Sequence, residues 1–466
     1  MICLRAPIGE APCPGPDTSH KSGSRIARFG ALVEQFLSNE AFRDQARRYP
    51  HALTRHRKVG LIGVLSIILN MVRKTTQVEL DDYRERILPG GETMTYTKQS
   101  FAEARQNLRP EAFVLLNNVF LQGYYADGDD ARYHGFRLLA VDGSVLELPN
   151  TPALQAYYGT SENHSPHGTL ARARSSTLYD LLNGLVIHTI LGRYDRGERD
   201  MAREHLLALA EITPADTPNL VLFDRGYPSA DFILWLRAHH IHFVMRVAQG
   251  FYSEIQDVTE SDAHVTIRIT QDRARHLREQ GTPVPVGTEI SLRVLKVILP
   301  SGDVETLISD LTPTELPHAE AAALYFRRWG LETHFDDLKH KFEVENFSGH
   351  TPVVVAQDFY ATTFLGNMAA VVEEDAEAAA QERLRNSSHS YKYEEYRVNR
   401  NLLVGTIKHR LIKALLEPDG AQREQAFHRL IQHIQRALIP VRRGRTAPRD
   451  KRKRANKYSQ NRRRSL

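Results

Sequence analysis

The chain has 466 residues, of which 41% are hydrophobic and 25% charged, and its formal net charge is +5. This length and composition predict a folded protein of about three units. Its two cysteines, Cys3 and Cys13, both lie in a Pro/Gly/Ser-rich leader, residues 1–24, which excludes a disulfide framework and a thiolate zinc site. The longest apolar stretch, residues 60–72, is too short to span a bilayer. We therefore expect a cytoplasmic protein with no membrane partner.

The charge is unevenly distributed along the chain. Residues 441–466 contain twelve Lys or Arg residues and one Asp, so this segment carries +11 and the rest of the chain carries −6. Such a basic run predicts a tail that is disordered in the free protein. It also predicts a sequence-independent, salt-sensitive attraction to nucleic-acid phosphates.

The region before residue 130 is predicted to be helical. Thr97 is expected to cap a helix over residues 98–108, and Pro110 to start the next one. Two short helices across a tight connection could form a helix-turn-helix that reads DNA, and a plain helical bundle fits the pattern equally well. Three cations here are expected to face solvent: Lys98, Arg105 and Arg109.

Two aspartates follow apolar runs. Asp142 stands between two strand-like runs and precedes Gly143, which predicts a hairpin with Asp142 near its turn. Asp224 ends the apolar strand 219–223, and Ser229 is expected to cap a helix that follows it. Open α/β sheets bind ligands at the C-terminal ends of their strands. Taken singly, each Asp is more often a turn or cap residue.

A predicted helix around residues 325–339 carries four distinctive side chains on one stripe. At about 100° per residue they span an arc of about 60°, beside a separate apolar face. A carboxylate among two cations and a phenol suits a metal-binding acid that works beside phosphate oxygens. The alternative is an exposed helix with an i,i+4 ion pair. The four residues are Tyr325, Arg328, Glu332 and Lys339.

If Asp142, Asp224 and Glu332 converge, their charges repel unless cations neutralise them. Two Mg²⁺ ions, about 4 Å apart, are the natural occupants because Mg²⁺ prefers oxygen ligands and needs few carboxylates. Such a pair activates a water or a 3′-hydroxyl and stabilises the leaving oxygen of a phosphodiester. The three acids therefore predict nuclease or strand-transfer chemistry.

The order of these acids and the spacing Y-x₂-R-x₃-E-x₆-K resemble the DDE transposases of bacterial insertion sequences, specifically insertion-sequence family four. The turns at residues 141–144 and 224–227 match patterns of the same family, and the resemblance covers about residues 95 to 350. It implies an RNase H-like core in which the three acids bind Mg²⁺ or Mn²⁺. It also implies that Tyr325, Arg328 and Lys339 hold transposon-end phosphates and that Trp329 braces a distorted base.

The resemblance implies a transposase that cuts double-stranded DNA at the terminal inverted repeats of its element and joins the 3′-hydroxyls to target DNA. A homodimer in the DNA complex and association with the nucleoid are also expected. A stand-alone two-metal nuclease and an inactive DNA-binding repressor are the alternatives. Because the chain lacks a G-x-x-x-x-G-K-[ST] loop, no nucleotide cofactor is expected.

The predicted fold class is α/β, an RNase H-like core with a β-rich insertion between Asp224 and Glu332 and helical terminal regions. In the resembled family such an insertion can help stabilise a DNA hairpin through an aromatic side chain, for which Phe251 and Tyr252 are the nearest substitutes here. The expected division is a leader (1–24), a helical DNA-binding domain (25–130), the first part of the core (131–248), the insertion (249–312), the core with the catalytic helix (313–375), a helical C-terminal region (376–440) and the basic tail (441–466).

Three further charged residues are candidates for a role near the predicted acids. Arg246 follows a predicted strand next to the Asp224 turn and is a plausible phosphate contact. Glu198 and Arg199 open a predicted helix, where they could form a structural pair or orient neighbouring groups, and the pattern assigns them no role.

Overall fold

A computed structural model of the chain describes residues 24–54, 59–70, 73–88, 96–161, 168–298, 302–386, 393 and 395–441. The predicted leader, apart from Ser24, and the basic tail, apart from Val441, lie outside the described residues. Within these ranges, none of the helices combines the length and the apolar character that crossing a membrane requires.

Among the residues described before the first strand there are six helices: α1 (Arg25–Ser38), α2 (Glu40–Ala46), α3 (Leu61–Leu69), α4 (Thr76–Arg86), α5 (Lys98–Arg105) and α6 (Glu111–Ala126). In α1, apolar side chains recur every three or four residues, so Ile26, Phe29 and Val33 form one buried face that packs towards α6. The predicted cap of α5 is confirmed, because the Thr97 hydroxyl accepts a hydrogen bond from the Ser100 amide at 3.1 Å.

The expectation that Arg105 faces solvent was wrong. Its side chain is 3% exposed, and its three guanidinium nitrogens donate to Gln357, Ser348 and Asp358 at 2.9, 2.7 and 3.0 Å. Arg105 therefore joins α5 to a helix about 250 residues away in sequence, which local periodicity cannot reveal. Lys98 and Arg109 are exposed as expected.

The described part of the chain contains a central mixed sheet of nine strands: β1 (Arg137–Glu147), β2 (Thr160–Ser161), β3 (Leu170–Asp180), β4 (Leu185–Arg193), β5 (Asn219–Phe223), β6 (His242–Arg246), β7 (Asp262–Arg268), β8 (Glu289–Ile298) and β9 (Val304–Ser309). The order is β2-β3-β1-β5-β6-β9-β8-β7, with β4 paired to β3. β1, β5 and β6 are parallel neighbours, whereas the other pairings are antiparallel. The fold is therefore a mixed α/β architecture.

The predicted hairpin at Asp142 was wrong. β1 runs straight through Asp142 and Gly143, which pair with Thr177 and Ser176 of β3. Asp-Gly is a local turn signal, but the long antiparallel ladder with β3 holds it extended. Asp142 consequently lies within a strand and not at a turn.

The central strands are buried on both faces of the sheet. Because successive side chains point to opposite faces, each central strand contributes side chains to two cores. In β1, Leu139 and Val141 belong to the large core that includes the N-terminal helices, whereas Leu138 and Ala140 belong to a second core on the other face. The second core contains Leu324 and therefore the segment that precedes the predicted catalytic Glu332. By this alternation Asp142 emerges on the face of the second core.

Helices connect the strands: α7 (Pro152–Tyr158), α8 (Glu198–Ile212), α9 (Ala230–Ala238), α10 (Ser253–Gln256) and α11 (Gln271–Glu279). α9 starts where the sequence predicts, although the Ser229 side chain makes no cap hydrogen bond. Residues 249–312 contain three strands and two helices, and their strands extend the central sheet because Val244 of β6 pairs with Ser309 of β9.

The remaining elements are α12 (His318–Phe326), α13 (Trp329–His340), α14 (Pro352–Arg385), β10 (Tyr396–Val398), α15 (Arg400–Leu415), α16 (Gly420–Ile434) and β11 (Leu438–Pro440). The predicted continuous helix over residues 325–339 is divided between α12 and α13. The joint stays right-handed but uses tighter i to i+3 hydrogen bonds, such as Arg328 N to Tyr325 O at 3.1 Å.

Candidate active site

Asp142 and Asp224 are brought together by the parallel pairing of β1 and β5. The last registered pair of these strands is Ala140 with Leu222, so two further residues along each strand lead to Asp142 and Asp224. β5 ends at Phe223 and turns away, and the Tyr227 amide donates to the Asp224 carbonyl at 3.1 Å. The strand end predicted for Asp224 is confirmed, and β1 has no β5 neighbour beyond this point.

Arg328 joins Asp142 to Glu332. One guanidinium nitrogen donates to Asp142 Oδ2 at 3.2 Å, and another donates to Glu332 Oε1 at 2.8 Å. The side chain of Arg328 is 6% exposed, whereas those of Asp142 and Glu332 are 23% and 37% exposed. The expected i,i+4 pair therefore exists, but it faces the sheet and includes a third residue.

The surroundings of Asp142 favour its protonated form. Burial is the main cause that raises the pKa of this carboxyl to about 6. The Gly143 amide, which donates to Oδ1 at 2.8 Å, and the Arg328 guanidinium oppose the rise, while Asp224 and Glu198 add to it. A carboxyl with this pKa is mostly ionised at neutral pH and takes up a proton in mildly acidic solution.

Tyr325 contacts the Asp224 end of the cluster. Its hydroxyl lies 3.3 Å from the Phe223 carbonyl and 3.4 Å from Asp224 Oδ1, and the residue is 7% exposed. Burial raises the pKa of this phenol, so it stays a neutral donor. Although burial opposes the charged form of Arg328, Tyr325 and the carboxylates of Asp224 and Asp142 outweigh it and raise the Arg328 pKa.

Lys339 and Trp329 lie at the two ends of α13. The Lys339 ammonium donates to the Val145 carbonyl at 2.8 Å, which brings this helix end against β1 beyond Asp142. Trp329 is 43% exposed, and its ring centroid lies 6.0 Å from the Arg328 guanidinium carbon. The Trp329 side chain is therefore exposed and not part of the core.

Arg246 and the two aromatic residues of the insertion are already engaged within the protein. Arg246 pairs with Glu305 at 2.8 Å, although it lies close enough to Tyr325 to influence its pKa. Phe251 and Tyr252 are partly buried and pack against the core, and Tyr252 also faces the Arg273 guanidinium at 4.9 Å.

Residues 133–368 match the family model described as the transposase DDE domain, which is just over half of the chain. The chain belongs to the DDE transposase family. A curated relative, the transposase InsG of insertion sequence element IS4 from Escherichia coli K12, is 24% identical over 322 residues, which cover 67% of this chain and 70% of InsG. A cryo-EM structure of the piggyBac transposase synaptic complex with hairpin DNA has 10% identity and a TM-score of 0.43, over 90% of this chain and 87% of that one.

As a DDE transposase the chain is a DNA-cleaving and strand-transferring enzyme, and its family uses divalent metal ions. The oxygen donors of Asp142, Asp224 and Glu332 suit a hard divalent cation. In the described residues, no three acidic, histidine or cysteine side chains converge closely enough to hold an ion as they stand. The guanidinium of Arg328 lies between Asp142 and Glu332 and neutralises part of their charge.

The transposase also contains a carboxylate at the site that the sequence left without a role. Glu198, the first residue of α8, approaches both aspartate segments: a Cβ added to Gly143 would lie 3.3 Å from its Oε1, and one added to Gly226 would lie 3.8 Å from its Oε2. Arg174 of β3 donates to Glu198 Oε1 at 2.6 Å. The only sequence signal was an acid at a helix start, which is too common to single it out.

Proposed function

We propose that this chain cuts double-stranded DNA at the terminal inverted repeats of an insertion sequence and joins the freed 3′-hydroxyls to target DNA. In this proposal Asp142, Asp224 and Glu332 are the catalytic, metal-binding acids of an RNase H-like core. The main support is that Arg328 donates hydrogen bonds to both Asp142 and Glu332, and that Asp224 follows the strand paired with the strand of Asp142. InsG, whose name assigns it to an insertion sequence, supports the same kind of element.

The strand order supports the RNase H-like part of the proposal. β4, β3 and β1 form an antiparallel set, and β5 and β6 continue the sheet in parallel with β1. In the chain, α8 connects β4 to β5, and α9 connects β5 to β6. The strands of residues 249–312 extend this sheet at its β6 edge, as expected of an insertion. The seven-part division from leader to basic tail is proposed with it.

Two Mg²⁺ ions, or Mn²⁺ in their place, would supply charge stabilisation and a deprotonated attacking oxygen when bound. Asp142, Asp224 and Glu332 would hold them through carboxylate oxygens. Tyr325 keeps Asp224 oriented through its hydroxyl contact at 3.4 Å. Arg328, once released from the acids, is placed to bind a phosphate of the cleaved end with its two terminal nitrogens.

The DNA-binding residues proposed are Tyr325, Arg328, Lys339, Trp329 and Arg246. Trp329 has the exposure needed to stack on a displaced base, and aromatic stacking is worth about 1 to 3 kcal/mol per base. Lys339 and Arg246 have protein partners that DNA phosphates would replace. Recognition of the inverted repeats is assigned to the helices before residue 130, and a homodimer holds both element ends in the cytoplasm, at the nucleoid.

The test is Mg²⁺-dependent processing of labelled DNA that carries the flanking inverted repeats. Glu332→Gln removes the charge and nearly keeps the shape, so cleavage and joining should disappear while binding to the ends persists. Asp336→Asn is the matched control, because Asp336 is an exposed acid one turn further along α13. It should leave both activities unchanged.

The outcomes separate the alternatives. Cleavage without end pairing or joining would indicate a stand-alone nuclease. End binding by the native chain with no cleavage under any divalent ion would indicate an inactive DNA-binding protein. Cleavage that survives in Glu332→Gln would remove this residue from the site.

A further inference from the structure

The acids of the site are not limited to the three that the DDE pattern names. One carboxylate oxygen of Glu198 lies near Gly143, next to Asp142, and the other lies near Gly226 in the turn after Asp224. Glu198 belongs to α8, an element that the DDE pattern does not include. Both neighbours are glycines, so no Cβ separates the Glu198 carboxylate from the two aspartate segments. At Gly143 the added carbon would lie 3.3 Å from Glu198 Oε1, closer than an ordinary van der Waals contact, so the carboxylate fits closely against this glycine.

Arg174 orients this carboxylate. It binds Glu198 Oε1 through one terminal nitrogen at 2.6 Å, and its Nε donates to the Tyr194 carbonyl at 3.2 Å. Oε2 is left on the side of Gly226. Glu198 therefore lies against the Asp142 segment through the oxygen that Arg174 holds, and against the Asp224 turn through the other oxygen. Pairing with Arg174 alone does not require this approach to like charges, whereas binding a shared cation does.

An independent observation comes from Tyr227, which follows the Gly226 turn. The residue is 1% exposed, and among the described residues its hydroxyl has no hydrogen-bond partner. Buried hydroxyls without a partner are rare and costly, which indicates a water or ion that completes the site. Burial raises the pKa of this phenol, and the carboxylates of Asp142 and Glu198 are near enough to add to the rise.

We propose that Glu198 is a fourth carboxylate of the metal site and that the Tyr227 hydroxyl bonds a water at the bound ion. This inference rests on the proposed function, because it assumes that Asp142 and Asp224 bind a divalent ion. Two groups are thereby added to the three acids of the DDE pattern. They are the Glu198 carboxylate from α8 and the Tyr227 hydroxyl from the turn after β5. Arg174 is then a positioning residue that acts through Glu198.

The experiment measures Mn²⁺ binding to the full chain by calorimetry and by electron paramagnetic resonance, with and without inverted-repeat DNA. Glu198→Gln should weaken Mn²⁺ binding about 10- to 100-fold, the usual range for groups that support a metal site. Tyr227→Phe, which removes only the hydroxyl, should weaken it less, about threefold to tenfold. Glu204→Gln is the matched control, since Glu204 lies on the same helix and also pairs with an arginine, Arg196.

A purely structural role for Glu198 has a different signature. In that case Glu198→Gln would lower the melting temperature and leave the Mn²⁺ dissociation constant within twofold of the native value, which would overturn the proposal. If Glu198→Gln does not fold, an unchanged Mn²⁺ affinity in Tyr227→Phe overturns it instead. Asp142→Asn separates this failure from that of the proposed function: Mn²⁺ binding insensitive to Asp142→Asn, or absent from the native chain, would overturn both.

Discussion

Arg105 and Arg328 are both buried arginines that join distant segments, yet their surroundings differ. Arg105 uses all three guanidinium nitrogens, and both carboxylate oxygens of its partner Asp358 accept hydrogen bonds. Arg328 leaves its Nε without a partner among the described residues, and it serves a cluster with more acids than cations. Each guanidinium nitrogen of Arg105 therefore has a hydrogen-bond partner, whereas Arg328 keeps unused bonding capacity beside a group of acids.

The largest contrast is expected from Asp142→Asn. Because this change removes an acid that the proposed reaction requires, DNA cleavage should fall by about 10³-fold, comparable to the loss of a strong electrostatic contact to the transition state. Arg328 keeps Glu332 as a partner, so the melting temperature should stay unchanged or rise. Cleavage assays and thermal unfolding on one preparation test this, and a large loss of stability would contradict the comparison.

Arg105→Met should instead lower the stability of the fold. Removing the guanidinium leaves Asp358 buried without its charged partner, so the free energy of unfolding should fall by about 3 to 5 kcal/mol. Arg109→Met, an exposed position just before α6, should change it by less than about 0.5 kcal/mol. Urea unfolding of both variants gives the answer. Equal effects in the two variants would mean that the Arg105 cluster contributes nothing special.

The raised pKa of Asp142 predicts how stability changes with pH. An acid whose pKa is higher in the folded state binds protons more tightly there, so its contribution to the stability of the native chain declines as pH rises from about 4 to about 6. The loss should reach about 3 kcal/mol above pH 6, since each unit of pKa difference corresponds to about 1.4 kcal/mol, and it should be absent in Asp142→Asn. The measurement is the free energy of unfolding of the native chain and of Asp142→Asn between pH 4 and 8. Parallel curves for the two proteins would show that folding does not raise the pKa of Asp142.

The smallest effect is expected from Gly143→Ala. The added carbon would lie 3.3 Å from Glu198 Oε1, so this carboxylate has to move by a few tenths of an ångström. Mn²⁺ affinity should fall about threefold, which corresponds to roughly 0.6 kcal/mol. Gly366→Ala in α14 is the control, because nothing lies within 4 Å of its new carbon. An affinity that Gly143→Ala leaves unaltered would show that the glycine is not needed for the approach of Glu198.

These comparisons also indicate what the sequence can and cannot predict. Asp224 at the end of β5 followed from a short apolar run and a turn, which are local signals. Asp142 was predicted at a hairpin turn because Asp-Gly favours one, and only the pairing of β1 with β3 overrides that preference. The solvent-facing prediction for Arg105 and the unassigned Glu198 share one cause. Their partners lie far away in sequence, and no periodicity records a contact of that kind.

The bridge made by Arg328 has a consequence for how the enzyme is assembled. Small zinc domains stay unfolded until the metal arrives, because the binding of the ion supplies the free energy of folding. Here a side chain of the chain itself already offsets the repulsion between Asp142 and Glu332. With the proposed ions at this site, folding and ion loading are therefore separate events, and a chelator should empty the site without unfolding the chain.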